Sequence, residues 1–168
     1  MDTFALTGYE FSLFLHITAV MVGFGATFAL AVTTPLALKM DPRHIPYVHQ
    51  LSLTLGRYFA TPALVIVLVT GLYQVAEDEG RGWGFGDPWI SASFAIIIVL
   101  GGLTGAYFVP SDRKLKALAE RDIEAAGDGP VTLSDEYNKG AKLGAILGPL
   151  TGLLLVIAVF LMVVKPGG

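Results

Sequence analysis

The chain has 168 residues, of which 54% are hydrophobic and only 15% are charged, and it contains no cysteine. A soluble domain carries about 25% charged residues, so this composition is typical of a protein embedded in lipid. The lack of cysteine excludes disulfides, thiol catalysis and cysteine-ligated metal centres. The formal net charge of −3 and the lack of a basic run argue against nucleic acid as a partner.

Four long stretches without Asp, Glu, Lys or Arg alternate with shorter charged segments. They cover residues 11–38, 58–76, 88–110 and 143–164. A helix needs about 20 apolar residues to cross a bilayer, and each stretch is close to that length or longer. We therefore predict an all-α protein, a bundle of four transmembrane helices that forms a single membrane domain over residues 1–168.

The basic residues predict how this bundle is oriented. Only Arg81 and Lys165 of the 11 basic residues lie on the side of the two termini, and the other nine lie in the first and third connections. Because basic loops stay in the cytoplasm, we predict that both termini are outside it, in a bacterial inner membrane. No basic residue precedes the first span, so we expect a retained anchor rather than a cleaved signal peptide.

Prolines and charge patterns divide the chain further. Pro35 and Pro110 predict that spans one and three bend or stop at their cytoplasmic ends. These two spans both lead into basic segments, whereas spans two and four both carry an early proline, Pro62 and Pro149. This pattern suggests two helical hairpins in the same orientation, a parallel repeat. The alternative is that any bundle with an even number of helices shows such similarities between its two halves.

The connection between spans three and four carries an amphipathic pattern over residues 111–126. Its apolar side chains recur at helical spacing, and Gly127 follows the last of them. We predict a short cytoplasmic helix that lies on the membrane surface or docks beneath the bundle, the alternative being a mobile, solvated loop. Ser134 is the predicted cap of the fourth helix.

Glycines at regular spacing predict how the spans pack. In lipid, small residues let helix backbones approach closely, which replaces the missing hydrophobic drive. The fourth span carries Gly144, Gly148 and Gly152, the third carries Gly101 and Gly105, and the first carries Gly23 in a ridge of small residues. We expect a close contact between spans three and four at these glycines. The alternative is a dimer through the fourth span, and we predict a homo-oligomer.

His16 is the one imidazole within the four spans, and an ionisable side chain in hydrocarbon is a functional candidate by default. It lies roughly 7–8 Å inside the outer end of the first span. At matching depth we place Tyr73, Ser93 and Met162. Tyr73 or Ser93 would hydrogen-bond the ring in a purely structural role. Alternatively, the ring would bind a metal, either copper or haem iron, or relay a proton. For haem, the second ligand would be Met162 or His16 of a second copy across a dimer, or the iron would be five-coordinate.

Four segments together resemble a known family, and they cover all four spans. They read LFLHITAVMVGFG, TPALVIVLVTGLYQ, WISASFAIIIVLGG and FLMVVKP. The chain resembles a predicted integral-membrane bacterial family of unknown function, which is distantly similar to copper-resistance D proteins and HemJ-type protoporphyrinogen oxidases. That similarity implies haem b or copper at the first-helix histidine, here His16. The chain lacks the lysine that HemJ-type proteins use in a later span, and it has few outer histidines and methionines.

Three functions stay open from the sequence. The first is a non-enzymatic membrane protein with a small-ligand pocket near His16 in the outer leaflet. The second is a membrane redox protein that binds haem b. The third is a small transporter or channel, although the spans carry no charge at mid-membrane. No phosphate-binding loop or nucleophile motif favours an enzyme.

Overall fold

The computed structural model describes residues 7–77 and 80–167, and over these residues it contains helices and no strand. Four long helices follow one another: α1 Gly8–Ala37, α2 Pro42–Ala76, α3 Pro88–Ala126 and α4 Asp135–Val164. Each is long and apolar enough to cross a membrane. The predicted all-α class with four spanning helices is thereby confirmed. A helix is favoured here because lipid offers no hydrogen-bond partner to the backbone, so each segment must satisfy its own amides.

The helix ends follow from capping residues. Thr7 and Glu10 form a capping box at the start of α1, in which Thr7 Oγ1 accepts from the Glu10 amide at 3.1 Å. Ser134 accepts from the Tyr137 amide at the start of α4, as predicted. Gly127 ends α3 with a φ of 54°, a conformation that favours glycine. We name the end where α1 begins and α4 ends the terminal face, and the opposite end the loop face.

Two π-helical turns interrupt α2 and α3, over Gly56–Ala60 and Leu103–Phe108. Each comes before a proline, and the residue preceding that proline donates its amide to the carbonyl five residues back. Proline has no backbone N–H to donate, and the wider turn before it allows the helix to continue in spite of this. The third span was predicted to bend or stop at Pro110. The helix does not stop there, because α3 runs on to Ala126. The predicted amphipathic helix is present as its continuation.

The helices pack as two hairpins, α1 against α2 and α3 against α4. α1 lies close to α2 at Gly23, where an added Cβ would be 3.2 Å from Ala63 Cβ. The core of the bundle consists of Ala19, Ala63, Val67, Ile97 and Leu100. The π turns fall in α2 and α3, which are not corresponding members of the two hairpins, so the parallel repeat stays a prediction. The orientation in the membrane and the oligomeric state also stay predictions.

The contact between α3 and α4 differs from the one predicted. An added Cβ would meet no heavy atom of the described residues within 4 Å at any of the five glycines expected to form it: Gly101, Gly105, Gly144, Gly148 and Gly152. Instead, Leu154 and Leu155 of α4 pack against the core around Leu100. The glycines therefore do not form the contact between the two helices. The predicted glycine contact therefore has to be corrected.

At the loop face, the extensions of α2 and α3 dock against the start of α4. Their apolar contact consists of Ile45, Leu115, Leu118, Ala119 and Tyr137. A polar network lies beside it: Asp112 accepts from His49 Nδ1 at 2.8 Å and from Ser52 Oγ at 2.5 Å. His49 Nε2 lies 3.0 Å from the Tyr137 hydroxyl. The amphipathic segment thus docks beneath the bundle, which was one of the two predicted arrangements.

We expect Gly23→Leu to destabilise the protein by about 1–3 kcal/mol, because the new side chain overpacks the contact with Ala63. Gly148→Leu is the matched control, since space is open around its Cβ position. The measurement is the midpoint of thermal unfolding in detergent. Equal loss of stability in the two variants would contradict this account of the packing.

Candidate functional site

A cavity of about 730 Å³ lies between the four helices at the terminal face. Pockets that bind small molecules typically enclose about 300–1,000 Å³ and are mostly apolar, as this one is. All four helices contribute to its walls. Met21 of α1 and Val163 of α4 line it and are 70% and 74% exposed, so the cavity opens toward the surrounding lipid between these two helices.

His16 lies in the wall of this cavity and is only 9% exposed. Its Nδ1 atom lies 2.9 Å from Oγ1 of Thr70 on α2. The Thr70 hydroxyl donates to the Ile66 carbonyl at 2.6 Å, so its oxygen accepts from Nδ1–H. This pairing assigns the neutral tautomer with its proton on Nδ1 and a lone pair on Nε2.

The Nε2 atom of His16 makes no hydrogen bond with any residue that the structure describes. It is also not among the buried unpartnered atoms of that part of the chain, so it has accessible surface. Because the ring lines the cavity, this lone pair is available to a ligand. It can accept a hydrogen bond from a donor, or it can coordinate a metal ion.

Thr70 is the centre of a polar contact between α1 and α2. Its carbonyl oxygen accepts from Ser12 Oγ at 3.3 Å and from Gln74 Nε2 at 3.1 Å. Gly71 follows it, and an added Cβ there would lie 3.5 Å from Cε1 of His16. The neighbours of the imidazole thus hold its Nδ1 edge firmly and leave room beside the ring.

The structure brings together some of the predicted site residues and separates others. Met162 and Ser93 line the cavity with His16, whereas Tyr73 does not line it and is 41% exposed. Ser93 Oγ donates to the Trp89 carbonyl at 2.7 Å instead of reaching the imidazole. The expectation that Tyr73 or Ser93 would satisfy His16 therefore has to be corrected in favour of Thr70.

The error has a physical cause. The depth of His16 was counted from residue 11, but α1 begins at Gly8 and the imidazole is correspondingly further from the helix end. Thr70 lies one turn deeper in α2 than Tyr73, at the level that this longer helix requires. A threonine inside a charge-free span was the available signal, because its hydroxyl needs a partner in lipid.

The mouth of the cavity, at the terminal face, combines cations with aromatic rings. It consists of Tyr9, Arg81, Trp83, Trp89 and Lys165. The Lys165 ammonium lies 3.7 Å from the centroid of the Trp83 ring, and the Arg81 guanidinium lies 4.3 Å from that of Tyr9. Such contacts are attractive because the ring face carries negative charge. Aromatic and basic residues at a helix end are typical of the membrane–water interface.

A second, smaller void of about 60 Å³ continues from the cavity toward the loop face. The two share Val20, Val67 and Ile97 in their walls. Over residues 7–77 and 80–167, no three His, Asp or Glu side chains cluster as a metal site. A metal in the cavity would therefore depend on His16, which stays a prediction.

Comparison with known proteins identifies the family. The model of a family described as "Predicted integral membrane protein (DUF2269)" matches residues 11–166, nearly the whole chain. This match confirms the resemblance to an integral-membrane family of unknown function. The search of curated proteins finds no match to the chain, and the search of solved structures finds none either.

We expect Thr70→Val to destabilise the protein by about 1–3 kcal/mol, because it leaves the buried Nδ1–H of His16 without an acceptor. Thr27→Val is the control, because the Thr27 hydroxyl bonds only the Gly23 carbonyl of its own helix. Thermal unfolding in detergent measures both. If the two substitutions lowered the midpoint equally, the hydrogen bond between His16 and Thr70 would contribute no more to stability than a bond within one helix.

Proposed function

This chain belongs to that family of predicted integral membrane proteins, and we propose that it is a non-enzymatic member that binds a small molecule in the cavity at the terminal face. The ligand is largely apolar, because the walls that meet it are aliphatic and aromatic. His16 orients it by accepting a hydrogen bond at Nε2. In the predicted orientation, the cavity faces the outer leaflet.

The observation that carries this proposal is the state of His16. Its Nδ1–H is used by Thr70, whereas its Nε2 lone pair is accessible and unpartnered among the described residues. A buried imidazole that served only to tie α1 to α2 would not need a cavity of about 730 Å³ on its other edge. A few polar groups in an apolar pocket are the usual arrangement for orienting a small ligand.

The hydroxyls near the imidazole favour binding over catalysis. Ser12 Oγ donates to the Thr70 carbonyl, and Ser93 Oγ donates to the Trp89 carbonyl. Neither of these hydroxyls is hydrogen-bonded to His16 in the described residues. The third hydroxyl, Thr70 Oγ1, does contact Nδ1, but it donates to the Ile66 carbonyl and accepts from the ring. None of the three therefore donates its proton to the imidazole, which is the contact that covalent catalysis uses. This arrangement supports a protein that holds its ligand without transforming it.

The ligand enters from the lipid. Met21 and Val163 border the cavity and are mostly exposed, so a molecule dissolved in the bilayer reaches it without crossing water. Burial of apolar area contributes about 25 cal/mol per Å² when the molecule comes from water, and much less when it comes from lipid. The polar contact with His16 and the fit to the cavity therefore decide which molecule is retained.

The test is mass spectrometry of organic extracts from the purified full chain. We expect a small molecule to co-purify at about one per chain with the wild type. Gly71→Leu should reduce this amount by about tenfold, because its side chain fills the space beside His16. Gly25→Leu is the control, since its Cβ position on α1 meets no described atom within 4 Å.

Two results would overturn this proposal. One is that no small molecule co-purifies with any of the three proteins. The other is that Gly71→Leu retains as much of it as Gly25→Leu does. In the second case the molecule is bound elsewhere on the protein surface.

Haem b is a second candidate ligand, and the same lone pair favours it. A neutral imidazole nitrogen is a standard axial ligand of haem iron. Met162 lines the same cavity and would supply a second ligand to the iron, and Lys165 at the mouth would pair with a carboxylate of the porphyrin. When bound, haem would supply one-electron chemistry, and the protein would be a membrane redox protein.

Absorption spectroscopy after addition of haemin tests this candidate. We expect a sharp Soret band in the wild type and its loss in His16→Ala, because the axial nitrogen is removed. His44→Ala, an exposed histidine at the loop face, should keep the band. A spectrum that is unchanged by His16→Ala would exclude axial ligation by this residue.

A further inference from the structure

We propose that the ligand of the cavity is a neutral, lipid-soluble hydroxyl compound, a phenol or an alcohol, whose O–H donates a hydrogen bond to Nε2 of His16. This inference rests on the proposed ligand-binding function and names the class of ligand. The same site disfavours compounds whose polar groups only accept hydrogen bonds, such as ethers, esters and quinones.

The first argument is that the hydroxyls of the interior have already used their donors. Ser93 lines the main cavity, and its Oγ donates to the Trp89 carbonyl at 2.7 Å. The hydroxyls that line the smaller void each donate to the carbonyl four residues back, at 3.0, 2.8 and 2.8 Å for Thr27, Thr104 and Thr151. A hydroxyl has one donor hydrogen and two lone pairs, so these residues offer only lone pairs to the interior. The Trp89 indole N–H has almost no accessible surface and offers the cavity no donor.

The second argument concerns the polar side chains beside the imidazole. Thr70 holds the His16 proton on Nδ1, which leaves Nε2 as an acceptor. Gln74 also lines the cavity, one helical turn nearer the terminal face, and its Nε2 donates to the Thr70 carbonyl at 3.1 Å. A backbone carbonyl only accepts, so it fixes the orientation of this amide. Among the described residues, Gln74 keeps its carbonyl oxygen and one amide hydrogen for a ligand, so acceptors outnumber donors around the ring.

The charge of the terminal face favours a neutral compound. The connection between α2 and α3 has four acidic residues and one basic residue: Glu77, Asp78, Glu79, Asp87 and Arg81. This excess of negative charge repels an anion. A cation gains little at the mouth, because the rings of Trp83 and Tyr9 already contact Lys165 and Arg81. A polar group without charge therefore suits the site best.

The surrounding lipid makes the donor decisive. The cavity opens to lipid between Met21 and Val163, so ordinary acyl chains compete for it. Phospholipid tails and their ester groups have no hydrogen-bond donor, and a chain in the cavity leaves Nε2 of His16 without a partner. A hydroxyl in hydrocarbon likewise lacks an acceptor, and an unmade bond of this kind costs free energy. Because pairing the two removes both losses, a scarce hydroxyl compound is retained over the bulk lipid.

Competition among matched compounds tests the proposal on the purified full chain in a non-ionic detergent. The probe is tritium-labelled para-octylphenol, its binding is measured by scintillation proximity, and competitors are compared at equal mole fractions in the micelle. The methyl ether para-octylanisole keeps the oxygen but only accepts, and para-octyltoluene has a methyl group in place of the hydroxyl. We expect unlabelled para-octylphenol to displace the probe about fivefold better than either compound, as one neutral hydrogen bond implies.

Two substitutions of His16 separate the roles of its nitrogens. His16→Asn places an amide near the position of Nδ1, where it still donates to Thr70, but it has no atom at the position of Nε2. This variant should lose the preference for the phenol. His16→Gln reaches the position of Nε2 and should keep the preference, with a lower midpoint of thermal unfolding because the contact with Thr70 is lost. His44→Asn, at an exposed site of the loop face, should change neither quantity.

The results distinguish this inference from the proposed function. No saturable binding of para-octylphenol, equal displacement by all three compounds in the wild type, or an unaltered preference in His16→Asn would each overturn the hydroxyl class. If His16→Asn does not fold, the comparison in the wild type decides alone. A co-purified molecule that acetic anhydride does not acetylate would also overturn it, since that molecule has no hydroxyl. The proposed function falls separately, when no small molecule co-purifies at all.

Discussion

The hydrogen bond from His16 Nδ1 to Thr70 Oγ1 joins α1 to α2 within their membrane-spanning segments, where lipid offers no alternative partner. That constraint determines much of the site. The Thr70 hydroxyl donates a hydrogen bond to the Ile66 carbonyl, and its oxygen accepts from Nδ1–H of the imidazole. The lone pair is thereby directed to the other edge of the ring, which lines the cavity. A contact that holds two helices together also prepares an acceptor for a ligand.

The bundle is held tightly at its centre and at the loop face, and much less so at the terminal face. Gly23 lets α1 approach α2, and the docked extensions around Ala119, which is fully buried, close the opposite end. Near Leu100, α4 packs against the core through Leu154 and Leu155. Between α1 and α4 the helices diverge enough to leave the cavity, so the opening to lipid follows from where the close contacts are.

The number and the helical class of the spans were predictable, because charged side chains are excluded from lipid and their absence marks each span. The continuation of the helix through Pro110 was not predictable, since a proline alone does not indicate the π turn before it. Regular glycine spacing did not reveal that Gly148 faces open space. Thr70 was missed by one helical turn, and the mouth was missed because Arg81 and Lys165 meet only in three dimensions.

The π turns have a consequence for how the two ends of the molecule are joined. Each turn adds one residue to the helical path, which rotates everything beyond it by about 100° relative to an uninterrupted helix. In α3, the turn at Leu103–Phe108 therefore sets the direction in which Leu115 and Leu118 point, and they point toward Ile45. The number of residues in that short segment therefore fixes the rotation of the helix beyond it. Loss of a single residue there would restore regular helix, yet it would turn the docking surface away from its partner.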